Sequence, residues 1–109
     1  MQKAFFQWLA IAHRSVYALA FAVPNGARRS VMQGKRLRDE GMKAGIPDVA
    51  IMIPSSPYHG MFIEFKIHPN KPTEEQLLMI GRLRGYYCVR VCYSLEEAME
   101  AVREYLGYK

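Results

Sequence analysis

Apolar residues at Ala4, Phe5, Trp8, Leu9, Ile11 and Ala12 recur at the spacing of one helical face and predict an amphipathic helix over residues 3–14. Residues 17–23 read as a strand, halted by the turn signal Pro24-Asn25-Gly26. Residues 28–41 are basic, weakly periodic and closed by Gly41, as expected of a second helix or a helical loop. After the break Gly45-Ile46-Pro47, residues 49–53 are continuously apolar, the mark of a strand covered on both faces. A loop over 54–60 leads to residues 61–67, which alternate as a second strand. Thr73-Glu74-Glu75-Gln76 has capping-box spacing and opens a helix that ends near Gly85. Residues 87–93 form another strand, and Ser94-Leu95-Glu96-Glu97 starts a last helix running to about Leu106. The order α-β-(α)-β-β-α-β-α predicts an α/β protein of the mixed α+β kind, with helices on the faces of a mixed sheet. The passage from strand 61–67 through its helix to strand 87–93 predicts a right-handed crossover between parallel strands.

Composition narrows this picture. A chain of 109 residues with no repeat or linker is expected to be one domain. Fifteen Lys and Arg against ten Asp and Glu leave a net charge of +5, which favours an anionic partner such as nucleic acid. The apolar runs are too short to cross a bilayer, and the first residues lack the layout of a secretion signal. Cys88 and Cys92 stand four apart on a strand, too distant for a disulfide, and no second Cys or His pair has zinc-ligand spacing. Two reduced packing thiols in a cytoplasmic protein are expected.

The chemistry concentrates in one hairpin. Antiparallel pairing of strands 49–53 and 61–67 about a loop centred near Ser56 and Pro57 sets Asp48 opposite Glu64 or Lys66. Glu64 and Lys66, two apart, share a face, so two carboxylates and one ammonium meet on an otherwise apolar sheet. Charges in such a place are costly unless paired or bound to a metal. Converging carboxylates are hard oxygen ligands suited to Mg²⁺ or Mn²⁺, and a lysine beside them can offset charge developing on a phosphate. So short a pattern recurs by chance, however, and taken alone it more often means a structural salt bridge of Lys66 with Asp48 or Glu64.

Context extends the pattern. Gly45-Ile46-Pro47-Asp48, Gly60-Met61-Phe62-Ile63-Glu64-Phe65-Lys66 and Gln76 at the next helix start together resemble the VRR-NUC domain of the PD-(D/E)XK nuclease superfamily. Pro24-Asn25-Gly26 with Arg28 or Arg29, Gly34-Lys35-Arg36-Leu37, Glu40-Gly41-Met42-Lys43-Ala44-Gly45, Gly85-Tyr86 and Ser94-Leu95-Glu96-Glu97-Ala98 extend the resemblance over nearly the whole chain. It implies a restriction-endonuclease-like α-β-β-β-α-β core with an additional helix or helical loop after the first strand. It also implies a Mg²⁺- or Mn²⁺-dependent endonuclease acting on DNA. Asp48 and Glu64 would be metal ligands together with the backbone carbonyl of Phe65, Lys66 the catalytic lysine, and Gln76 a glutamine close to the reaction. Small stand-alone members, often phage-encoded, resemble homodimeric Holliday junction resolvases, which implies branched DNA, a homodimer, and a bacterial or phage-infected cytoplasm. One departure stands out: the family's first-helix glutamate, a few positions before the residue matching Gln2, would fall upstream of Met1. Glu40 is a poor substitute because it precedes the Gly41 break. The departure keeps open a second reading, a DNA-binding module of the same fold that does not cut.

The remaining candidates carry two meanings each. Gln76 is also the third helical residue of Thr73's capping box. Arg28, Arg29, Lys35 and Arg36 belong to a basic run that usually means a solvated face. Beside a nuclease motif the same run suits phosphate tracking, and Asn25 in its tight turn could present amides to a phosphate. His13, His59 and His68 are scattered along the sequence, with no second metal-ligand residue type at a matching spacing, and are expected to pack or face solvent. Phe5, Trp8 and Leu9 are expected in the core, while Tyr58, Tyr105 and Tyr108 suit either an interface or burial.

Overall fold

The computed structural model describes residues 1–24 and 31–107, without the side chains of 31–33. Asn25, Arg28, Arg29 and Tyr108 therefore lie outside the described residues. The elements are α1 (Gln2–Ala12), α2 (Arg14–Tyr17), β1 (Ala20–Ala22), α3 (Val31–Asp39), β2 (Val49–Ile51), β3 (Met61–Phe65), α4 (Glu74–Leu83), β4 (Cys88–Cys92) and α5 (Leu95–Leu106). The strands form one sheet in the order β1-β2-β3-β4, antiparallel in the first two pairs and parallel in the last. This is the expected mixed sheet, and α4 makes the crossover between the parallel strands β3 and β4.

Alternation along β3 sorts its residues into two layers. Met61 and Ile63 are buried in the main core with Val49 and Ile51 of β2, Phe5 and Leu9 of α1, and Ala98, Ala101, Val102 and Tyr105 of α5. Phe65 packs against the edge of this cluster, its ring 5.6 Å from that of Phe5 in an edge-on contact. Arg103 of α5 lies over the Trp8 ring of α1 at 5.6 Å, joining the two helices above the sheet. The alternate residues Phe62 and Glu64 must then point to the other face, which α4 covers. Cys92 is buried in the main core and Cys88 at its margin, both as free thiols, as expected. Tyr105 is buried, and its hydroxyl donates to the Ile53 carbonyl.

Two expectations need correction. The strand predicted over 17–23 is shorter: Tyr17 ends α2, and only Ala20–Ala22 pair with β2. Main-chain bonds from the Val16, Tyr17 and Ala18 amides back to His13 and Arg14 make a helical turn there, which propensity for β structure did not foresee. Ile11, counted in the apolar stripe of α1, is 85% exposed, because the helix buries Phe5 and Leu9 fully, with Phe6 and Trp8 packed beside them, and turns Ile11 away from that face.

Candidate active site

The hairpin register places the acidic residues. Val49 lies opposite Ile63, Ala50 opposite Phe62 and Ile51 opposite Met61. Continuing one position beyond β2 brings Asp48 to Glu64. The Phe65 amide donates to Asp48 Oδ2 at 2.8 Å, so the carboxylate stands in for a strand partner where β2 has not yet begun. On the other side of β3, the Lys66 amide donates to the Cys92 carbonyl at 3.0 Å, carrying the parallel pairing past Phe65. Asp48, Glu64 and Lys66 are thereby fixed by the two strands that flank them.

Helix α4 supplies the fourth group. Thr73 caps it with a complete capping box: Thr73 Oγ1 accepts from the Gln76 amide, and the Gln76 side chain accepts from the Thr73 amide. Gln76 Nε2 also donates to Glu64 Oε2 at 3.0 Å. Lys66 Nζ approaches the same oxygen at 3.5 Å. These residues surround an open cleft of about 340 Å³, which Gly45, Ile46, Thr73 and Glu75 also line.

Glu64 is the unusual member. Its side chain is only 3% exposed, and Oε1 is buried without any hydrogen-bond partner. Burial raises its pKa from 4.5 to about 7, and the charge of Asp48 pushes in the same direction, against the opposing pull of Lys66. A buried carboxylate with a bare oxygen beside a second carboxylate is poorly satisfied by protein groups alone. The donor set, two hard carboxylates on one cleft wall, fits a divalent cation such as Mg²⁺ or Mn²⁺. Among the described residues, no group of three His, Cys, Asp or Glu side chains is arranged to hold a metal ion, so Asp48 and Glu64 are the acidic ligands this cleft offers. Glu40 sits instead on the surface, 3.7 Å from Arg36.

Asp48, Glu64, Phe65, Lys66 and Gln76, singled out in the sequence, thus meet around one cleft. Lys35 and Arg36 stand exposed on α3, each drawn towards an acid one turn on, Asp39 at 3.1 Å and Glu40 at 3.7 Å. Such exposed pairs are weak and leave both cations open to exchange for phosphate. His68 stacks on Tyr93 at 4.1 Å, and Tyr58 leans on Tyr105.

Two residues have roles at the cleft that the sequence motifs did not assign to them. Glu75 lines the cleft from the first turn of α4. Gly45 adopts φ +80°, and a Cβ there would stand 2.4 Å from the Glu75 carbonyl oxygen and 3.0 Å from the Gln76 nitrogen. The first turn of α4 therefore rests directly on the Gly45 backbone. Its place immediately before Ile46-Pro47-Asp48 was the available signal. Gly45→Ala is expected to destabilise the protein by about 2 kcal/mol or more, from backbone strain together with the clash. It should also lift Gln76 from Glu64. Thermal melts and a crystal structure of the variant check both effects.

No known family profile matches the sequence, and no curated protein matches it either. Among solved structures, a VRR_NUC domain protein superposes with a TM-score of 0.84 at 22% identity, covering 97% of this chain and 84% of that one. The chain has the fold of a VRR-NUC domain protein.

Proposed function

We propose that the chain is a divalent-metal-dependent endonuclease that hydrolyses DNA phosphodiester bonds in the cleft between β2, β3 and α4. The observation that carries this reading is Glu64 Oε1, a buried carboxylate oxygen without a partner beside Asp48. A structural salt bridge accounts for Oε2, which has Lys66 and Gln76, but not for Oε1. Asp48 and Glu64, with the carbonyl of Phe65, would hold Mg²⁺ or Mn²⁺. When bound, the ion supplies Lewis acidity towards the phosphate and the attacking water.

The chain's own groups do the rest. The Phe65 amide orients Asp48, and Gln76 orients Glu64. Lys66 is 16% exposed, so its ammonium is held at the cleft while still reaching solvent, where it offsets charge developing on the phosphate. The net charge of +5 and the exposed Lys35 and Arg36 suit binding through phosphates, which reads DNA shape before base sequence. A homodimer would bring two clefts to two strands, which favours a branched substrate such as a Holliday junction, in the cytoplasm of a bacterial or phage-infected cell.

That no third acid among the described residues is arranged with Asp48 and Glu64 to hold a metal ion leaves a second reading, a DNA-binding module of the same fold that does not cut. Labelled junction, flap, splayed-arm, duplex and single-stranded DNA incubated with Mg²⁺ or Mn²⁺ separate the two. Cutting of the branched substrates is the expected result. Salt-dependent binding with no cutting in either ion would select the binding module. Neither binding nor cutting would reduce the acidic cluster to a structural role.

A further inference from the structure

The fold treats the two oxygens of Glu64 differently. Oε2 accepts from Gln76 Nε2 and faces Lys66, while Oε1 is buried and has no partner. Which end of the Gln76 amide faces Glu64 is decided on its other side. The Thr73 main-chain N–H is a donor only, so the Gln76 group 2.9 Å from it must be the oxygen. The nitrogen is then turned to the carboxylate. A reversed amide would set donor against donor at Thr73 and acceptor against carboxylate at Glu64. The Thr73 hydroxyl oxygen accepts from the Gln76 amide at 3.2 Å and so keeps residue 76 within reach of both partners. An ordinary capping box only completes a helix start. Here one of its side chains extends past the cap to a buried acid, and the Gly45 backbone beneath stops the turn from shifting.

We propose that Thr73 is a positioning residue for the candidate metal site: through its capping box it holds the Gln76 amide nitrogen on Glu64 Oε2 and leaves Oε1 as the oxygen presented to a divalent cation. The inference rests on the reading above that the cleft accepts such a cation. Thr73 is exposed at the rim of the cleft, and in this proposal its effect on the cation passes through Gln76. A side chain that merely capped α4 would affect helix stability and nothing in the cleft.

The test compares the wild-type chain with Thr73→Ala and Thr73→Ser, a pair of changes at an exposed helix start that leaves the core untouched. Two readouts are used: Mn²⁺ affinity by calorimetry, and the nuclear Overhauser contact between the Gln76 side-chain amide protons and the Glu64 methylene protons. Thr73→Ala keeps the main-chain N–H but loses the Oγ1 tether that brings residue 76 within its reach. It is expected to weaken Mn²⁺ binding about tenfold, the scale usual for partners of metal ligands, and to erase the contact. Thr73→Ser, which keeps the hydroxyl, is expected to restore both. A lower melting temperature with unchanged Mn²⁺ affinity, or an unchanged Gln76 contact, would overturn the proposal. If the wild-type chain takes up no Mn²⁺, the metal-nuclease reading fails on its own. Loss of the contact in Thr73→Ala and its return in Thr73→Ser then still decide whether Thr73 sets the amide.

Discussion

Asp48→Asn is expected to lower metal-stimulated cleavage by about a thousandfold or more, which corresponds to roughly 4 kcal/mol of transition-state stabilisation. Asparagine removes the charge but keeps an oxygen that can accept the Phe65 amide, the bond seen at 2.8 Å. Thermal stability should therefore stay near that of the wild-type chain. Asp48→Ala should lose the same activity and also leave the Phe65 N–H unpaired, at a further cost of about 1–3 kcal/mol in stability. Single-turnover cleavage and thermal melts of the two variants separate the roles of charge and hydrogen bond. Full cleavage by Asp48→Asn would remove Asp48 from the chemistry and leave it a strand-end partner.

The second large effect concerns Glu64 and has a definite sign. Its pKa in the fold is about 7 against an ordinary 4.5, because burial and Asp48 both oppose ionisation. The folded state thus holds this proton more tightly than the unfolded chain does. Its contribution to stability is fully present below pH 4.5, declines as the pH rises to about 7, and is absent above. Glu64→Gln replaces the carboxylate by a neutral group of the same shape, with an oxygen still available to Gln76 and Lys66. In a chelator-containing buffer the variant is expected to be more stable than wild type at pH 8, by on the order of 2–3 kcal/mol. At pH 4.5 the difference should nearly vanish. Mn²⁺ should raise the melting temperature of the wild-type chain at pH 8 more than that of the variant, since a neutral amide oxygen is a weaker ligand than a carboxylate. Cleavage by Glu64→Gln should be lost. A variant no more stable than wild type at pH 8 would mean that Glu64 is already satisfied without a metal. A gain in stability accompanied by a loss of activity is the expected mark of an acid retained for function.

Much of this arrangement was legible in the sequence, for physical reasons that can be named. Side-chain direction repeats every two residues in a strand, so Glu64 and Lys66 had to share a face. A hairpin about residues 54–60 left few registers that bring Asp48 within reach of them, and the observed pairing of Val49 with Ile63 is one of these. The Thr73 and Ser94 caps were readable because capping is local, requiring residues only three apart, and both are present. The failures are local propensity overruled by packing. Tyr17 closes a short helix instead of opening the strand, and Ile11 lies outside the buried contact made by Phe5 and Leu9.

The sequence by itself determined the order of the four strands and of the helices other than α2, the meeting of Asp48, Glu64 and Lys66, and the basic balance of the chain, because these depend on periodicity, short spacings and charge count. Only the tertiary structure decided that α4 seats on the Gly45 backbone, that Gln76 bonds one oxygen of Glu64, and that the other oxygen remains buried and bare. Those facts depend on contacts between segments far apart in the chain, such as the 3.0 Å bond from Gln76 to Glu64. No pattern of residue types encodes a distance of that kind, and the properties of the cleft follow from it.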